Sequence, residues 1–348
     1  MLSTMTRRLR TKTHHLFFCS TGYWLLSTVY YLLPFPDNSL TLFPTVSTSK
    51  ESTLLTGGLE AGQYASAPFE PGEQPSPAAI DPNNPPWGLV IAVLTWFGSV
   101  FLLFASQLLI VIPYVRYRNP GASGEALIQF SNTDPTAILL LLISVVPAHL
   151  LTIGLVWMVA TGIGRRPFWP TLGLSWSEHL GFWSSVALAV ALMIVGLILT
   201  KFIGGEPTQL DQIVASSTAA RYATVVVATL TAPLVEEMIY RGILYSALQR
   251  AIGTLWAVVG VMVLFTVVHV PQYWGNVGVI STIGVLSLFL TVVRAWTGRL
   301  LPCIIIHTLF NGLSSVLIIL EPYMQPDKGS DQKAAIVEIV ARAVYSFI

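Results

Sequence analysis

Seven long apolar runs follow one another from Gly88 to Leu320, and they decide what this chain can fold into. They lie at 88–113, 136–160, 181–203, 219–249, 253–270, 277–297 and 299–320, and the first contains no charged side chain. A helix needs about 20 apolar residues to cross a hydrocarbon layer of roughly 30 Å. In lipid, only helices and closed barrels satisfy every backbone group. Barrel strands would alternate apolar and polar residues over segments of about ten, and continuous runs such as Ile138 to Ile143 do not alternate. The expected fold class is all-α: a polytopic transmembrane helical bundle with the lipid bilayer as its solvent.

Charge is scarce throughout. Charged residues make up 10% of the 348, less than half of the roughly 25% usual in a soluble domain. A formal net charge of +1 excludes a nucleic-acid partner, which would need clustered Lys and Arg. The ten Trp and twelve Tyr suit two membrane interfaces, where amphipathic rings collect. Cys19 and Cys303 stand far apart in apolar sequence, forming neither a disulfide framework nor a metal knot, and read as inert.

Five stretches organise the chain. Residues 1–35 join a basic segment (Arg7, Arg8, Arg10, Lys12) to an apolar run from Leu16 to Phe35, the layout of a signal anchor. Residues 36–87 are rich in Pro, Ser, Thr and Gly and close on Asp81-Pro-Asn-Asn-Pro-Pro-Trp87. Such composition buries too little apolar surface to offset chain entropy, so the stretch reads as a disordered linker. Residues 88–210 hold the N-terminal transmembrane helices, residues 211–320 a core with polar groups at membrane depth, and residues 321–348 an amphipathic tail on the membrane surface. No sustained internal repeat divides the chain into the two halves common in transporters.

Between Asp211 and Asp327 the only acidic residues are Glu236, Glu237 and Glu321. Glu321 sits at a span end, whereas Glu236 and Glu237 lie inside the run 219–249. A carboxylate there costs roughly 2.5–3.5 kcal/mol on insertion scales unless paired or wet. Glu237 and Arg241 are four residues apart and share a helical face, with Glu on the favourable N-terminal side. Glu236 points about 100° away and gains no partner from its own helix, which leaves it available as a base. Pro233 removes a backbone donor just upstream, so a kink is expected. The next run ends with Phe265-Thr-Val-Val-His269, and the last carries His307-Thr-Leu-Phe-Asn311, whose His and Asn share a face.

Each of these groups has a bland reading. A lone intramembrane His packs against a carbonyl, which is the reading for His149. A lone Asn glues helices, and a lone Arg snorkels to the interface. Together, in this order, they suit peptide hydrolysis. A carboxylate beside an imidazole can take a proton from water and deliver it to a leaving amine, while a second imidazole and an amide can donate to a tetrahedral oxyanion. Two Glu and two His could instead hold Zn²⁺, although His-Glu-x-x-His is absent. Neither Gly-x-Ser-x-Gly nor a His-paired Cys supplies a side-chain nucleophile.

Glu236-Glu237-x-x-x-Arg241, Phe265-x-x-x-His269 and His307-x-x-x-Asn311 resemble the three motifs of the CAAX-processing and bacteriocin-processing intramembrane proteases, a family that includes the type II CAAX prenyl endopeptidases and bacterial self-immunity proteins. The resemblance covers roughly residues 219–320, and Trp169 to Trp176 looks like the segment that often precedes this core. It implies an endopeptidase of the plasma (inner) membrane acting on a peptide or protein substrate that can be lipidated. It also implies that Glu236 and His269 activate water, that His307 and Asn311 stabilise the oxyanion, and that Glu237 and Arg241 hold the site together. If zinc takes part, Glu236, His269 and His307 are its expected ligands. The alternatives are a non-hydrolytic immunity scaffold and a proton-coupled transporter.

Overall fold

The computed structural model describes residues 81–324. The N-terminal segment, most of the linker and most of the tail expected from sequence lie outside the described residues. Helices α1 (Leu89–Arg118), α2 (Gly124–Thr133), α3 (Pro135–Thr161), α4 (Phe168–Leu172), α5 (Phe182–Ile203) and α6 (Gln209–Ser216) are followed by the long α7 (Thr218–Ile252). Then come α8 (Thr254–His269), α9 (Val277–Thr297) and α10 (Leu301–Met324). The described residues are thus an all-α bundle with six helices long and apolar enough to cross a membrane, and the protein is an integral membrane protein.

The fifth apolar run, 253–270, behaves differently from the sequence expectation. It forms α8, which has only 16 residues, about 24 Å of helix. Gly253 at φ 82° turns the chain into it, and Pro271 lacks the N–H needed to prolong it. Three short helices, α2, α4 and α6, were not expected as separate elements. Each connects longer helices, and α6 starts with a capping box in which Thr208 and Asp211 exchange hydrogen bonds.

α7 lies at the centre of the bundle, packed against α1, α3, α8 and α10. It is not a uniform α-helix. Val227–Thr231 and Met238–Leu244 are π-helical, separated by the α-helical turns Ala232–Glu237. The kink expected at Pro233 is therefore realised as a widening of the helix on either side of the glutamates. Met238 to Ala247 is buried on every side, and its apolar members form the main core with Trp87, Val261, Phe265 and Leu300.

Residues 81–87 depart from the linker reading, because they are pinned across one end of the bundle. The Trp87 indole is buried and donates to the Ile243 carbonyl at 3.0 Å. Arg250 donates to the carbonyls of Pro85 and Trp87 at 2.7 and 2.8 Å. The fully buried Arg294 donates to Asn83 Oδ1 at 2.6 Å and to the Pro82 carbonyl at 3.0 Å. Composition suggested disorder, yet two arginines at helix ends need acceptors, and this strap of prolines and asparagines presents free carbonyls.

Trp87→Ala is accordingly expected to lower stability by about 3–5 kcal/mol, the usual cost of removing a buried aromatic ring. Thermal unfolding in detergent measures this. An unchanged Tm would show that the strap does not belong to the folded core.

Candidate active site

The two adjacent glutamates lie in different surroundings. Glu237 has no exposed side-chain surface, while the Glu236 side chain is 24% exposed. Glu237 Oε1 accepts from Arg241 at 2.8 Å, the i,i+4 pair read from sequence, and also faces His307 Nδ1 at 2.8 Å. Because that oxygen belongs to a carboxylate paired with Arg, the imidazole must donate there, so Nδ1 carries a proton. His307 Nε2 then faces Glu236 Oε2 at 3.7 Å. One imidazole thus bridges the two glutamates, with a guanidinium behind the first.

Arg241 is fully buried and engages three helices. It donates to Glu237 within α7, and on α9 to Thr291 Oγ1 at 3.2 Å, Ser287 Oγ at 2.8 Å and the Ser287 carbonyl at 3.1 Å. Its guanidinium lies 4.6 Å from the ring centre of Phe265 on α8, within cation–π range. The same ring meets Tyr240, His269 and His307 at centroid distances of 5.0, 4.6 and 6.0 Å. Phe265 is therefore the apolar post between the two histidines.

His269, half-buried at the C-terminus of α8, bonds through Nδ1 to the Phe265 carbonyl at 2.7 Å. A carbonyl only accepts, so Nδ1 holds the proton and Nε2 of the neutral ring keeps its lone pair. Among the described residues no hydrogen bond or ion pair joins His269 to either glutamate. Asn311 donates its amide to the Ala228 carbonyl at 2.8 Å. One turn further along α10, Ser315 Oγ meets Thr229 Oγ1 at 2.9 Å. Hence His307, Asn311 and Ser315, spaced four apart, fasten α10 to α7.

Sequence reasoning missed part of this set. Ser287 and Thr291 repeat the four-residue spacing that was recognised for His307 and Asn311, but hydroxyls are too common in membrane helices to stand out. His149 bonds through Nδ1 to the Thr231 hydroxyl at 2.9 Å rather than to a carbonyl. Tyr273, in the loop after α8, is held above the ordinary phenol range by burial, with the Glu236 and Asp211 carboxylates adding to the effect. The zinc alternative finds no ligand set, because no group of three or more His, Cys, Asp or Glu among the described residues is arranged to hold a metal.

Residues 218–313 match the family described as "Rce1-like: Type II CAAX prenyl endopeptidase Rce1-like". The matched region runs from the first turn of α7 to the middle of α10 and contains all six residues singled out from sequence. The family resemblance read from the three motifs is thereby borne out, and at the family level it supports a CAAX-type intramembrane protease. Neither the curated proteins nor the solved structures supply a match.

Glu237→Gln would leave Arg241 buried without its counter-charge and His307 Nδ1 without its carboxylate acceptor. Breaking a buried pair in this way costs roughly 3–5 kcal/mol, so a marked fall in Tm or in the yield of folded protein is expected. A Glu237→Gln protein as stable as wild type would contradict a structural Glu237–Arg241 pair.

Proposed function

We propose that this protein is an intramembrane endopeptidase that hydrolyses a peptide bond by carboxylate-activated water. The observation that carries the reading is the relay Arg241–Glu237–His307–Glu236, which ends on the only one of its carboxylates with exposed surface. Glu236 accepts a proton from a water molecule, and the hydroxide formed attacks the scissile carbonyl. His269, whose neutral ring offers Nε2, shares the work of orienting that water. The tetrahedral oxyanion needs a donor in a site sheltered from bulk water. His307 supplies one when Nε2 is protonated, with Glu237 on its far side stabilising the imidazolium. The proton taken by Glu236 is finally delivered to the leaving amine, so the bond breaks without an unstable anion. The resemblance gives Asn311 an oxyanion duty as well, although one of its amide hydrogens is already engaged by Ala228.

The substrate we favour is a peptide or protein segment at the membrane, lipidated near its C-terminus as the family description implies, and the membrane we favour is the plasma (inner) membrane. A non-hydrolytic scaffold or a proton carrier would use the same buried charges differently. A scaffold would tolerate the loss of Glu236, and a transporter would move protons without producing a cleaved peptide.

Glu236→Gln keeps the shape of the side chain and removes the base. Turnover of a farnesylated C-terminal reporter peptide is expected to fall by about 10²–10⁴-fold, with Tm retained or raised because a partly buried charge is gone. A chelator should leave wild-type activity intact. An active Glu236→Gln protein would refute the mechanism, and chelator inactivation reversed by Zn²⁺ would turn the same residues into metal ligands.

A further inference from the structure

Beyond His269 the chain keeps coiling for one more turn. Pro271 has no N–H to give, yet Gln272 and Tyr273 both donate theirs to the His269 carbonyl, at 3.1 and 3.3 Å. Tyr273 therefore lies four residues past His269 on the same helical face. The end of this turn is fastened to the segment between α5 and α6. The Glu206 N–H donates to the Gly275 carbonyl at 3.1 Å, the Gly278 N–H to the Gly204 carbonyl at 3.0 Å, and Asn276 Nδ2 to the Glu206 carbonyl at 3.2 Å. The two segments touch so closely that a Cβ on Gly205 would collide with the Asn276 backbone. Tyr273 is thus held from both ends, by His269 on one side and by this clasp on the other.

The phenol held there has no task within the bundle. Tyr273 is half-buried, and among the described residues its hydroxyl meets no hydrogen-bond partner. Polar groups removed from water are normally matched, so the missing acceptor comes from outside the chain. Burial, with the charges of Glu236 and Asp211 adding to it, keeps the phenol protonated. It can therefore donate but cannot serve as a base. Asp211 is already engaged by Thr208, which donates to it from its N–H and Oγ1 at 2.6 and 2.7 Å. That leaves the substrate. In an extended peptide successive carbonyls point to opposite sides. With the scissile carbonyl turned towards His307 and Asn311 on α10, the carbonyls flanking it turn towards the end of α8, where Tyr273 stands. We propose that Tyr273 is a substrate-binding residue, whose O–H donates to a carbonyl next to the scissile peptide bond and fixes the register of an extended substrate between α8 and α10. The proposal rests on the protease reading above, and it adds to the oxyanion donors without replacing them.

Tyr273→Phe removes the hydroxyl and keeps the ring. KM for the farnesylated reporter is expected to rise about 5–50-fold, as the loss of one sheltered neutral hydrogen bond implies. kcat should stay within about twofold, because the contact is made equally before and in the transition state, and Tm should be unchanged. Two further reporters replace the peptide unit before or after the scissile one by an alkene of the same shape, which lacks the carbonyl. Wild-type protein should lose the same factor on one of them, and on that reporter Tyr273→Phe should cost nothing more.

An unchanged KM in Tyr273→Phe would overturn the proposal. So would a fall in kcat alone, which would set the hydroxyl at the reacting atoms, or a defect that persists undiminished on both alkene reporters, which would make its role structural. If Tyr273→Phe does not accumulate as folded protein, the wild-type protein decides, because cleavage of both alkene reporters with an unchanged KM contradicts a donor to either carbonyl. A wild-type protein that cleaves no reporter counts against the protease reading. Binding of the three peptides to the intact protein then tests Tyr273 separately. The proposal requires one alkene peptide to bind more weakly than the unmodified one and Tyr273→Phe to remove that difference, whereas three equal affinities contradict it.

Discussion

A carboxylate and a guanidinium buried together in a helical membrane bundle are the constraint on which the rest of the site depends. Glu237 and Arg241 have no exposed surface, and each charge would be expensive in this setting without the other. Arg241 is further satisfied by Ser287 and Thr291 and lies against the face of Phe265. Glu237 uses the same oxygen to receive His307. The pair therefore joins α7, α8, α9 and α10 into one polar knot surrounded by apolar side chains. Such pairs are weak evidence for stability, since well-packed apolar residues often do as well. Their value here lies in orientation, because the knot turns one imidazole towards Glu236.

The irregularities of α7 serve the same end. A regular α-helix would satisfy its own carbonyls and present nothing to its neighbours. Two π-helical turns on either side of Ala232–Glu237 change that. Around the first, Asn311, Ser315 and His149 all bond to residues between Ala228 and Thr231. Near the second, Trp87 reaches the Ile243 carbonyl. The helix that carries the glutamates is thus held by α3, α10 and the strap ahead of α1, each at a place where its own hydrogen bonding is disturbed.

Much of this was legible in the sequence. Charge-free runs led to membrane helices because the cost of charge in lipid is large and independent of detail. The Glu237–Arg241 pair followed from a four-residue spacing, and the shared face of His307 and Asn311 from the same geometry. What stayed hidden depended on backbone patterns or on contacts distant in sequence. Pro233 signalled a disturbance, but not that the disturbance would be a π turn with an exposed Ala228 carbonyl. The strap of residues 81–87 looked like linker because Pro and Asn carry no periodicity; the overlooked signal was Arg294, a charge inside an apolar run with no acid of its own to meet. His269 ended its helix as expected, yet its link to the knot runs through Phe265, whose role as a shared wall no spacing rule reveals.

The central claim is that the buried pair serves catalysis by aiming His307, and one double variant tests it directly. Replacing Glu237 and Arg241 together by Met and Leu removes both charges at once and leaves no unpaired ion. The expected result is a folded protein whose Tm lies near that of wild type, with turnover of the farnesylated reporter reduced about 10²-fold or more because His307 has lost its anchor. A double variant that folds and turns over at the wild-type rate would contradict the claim, since the knot would then be scaffolding with no part in the chemistry.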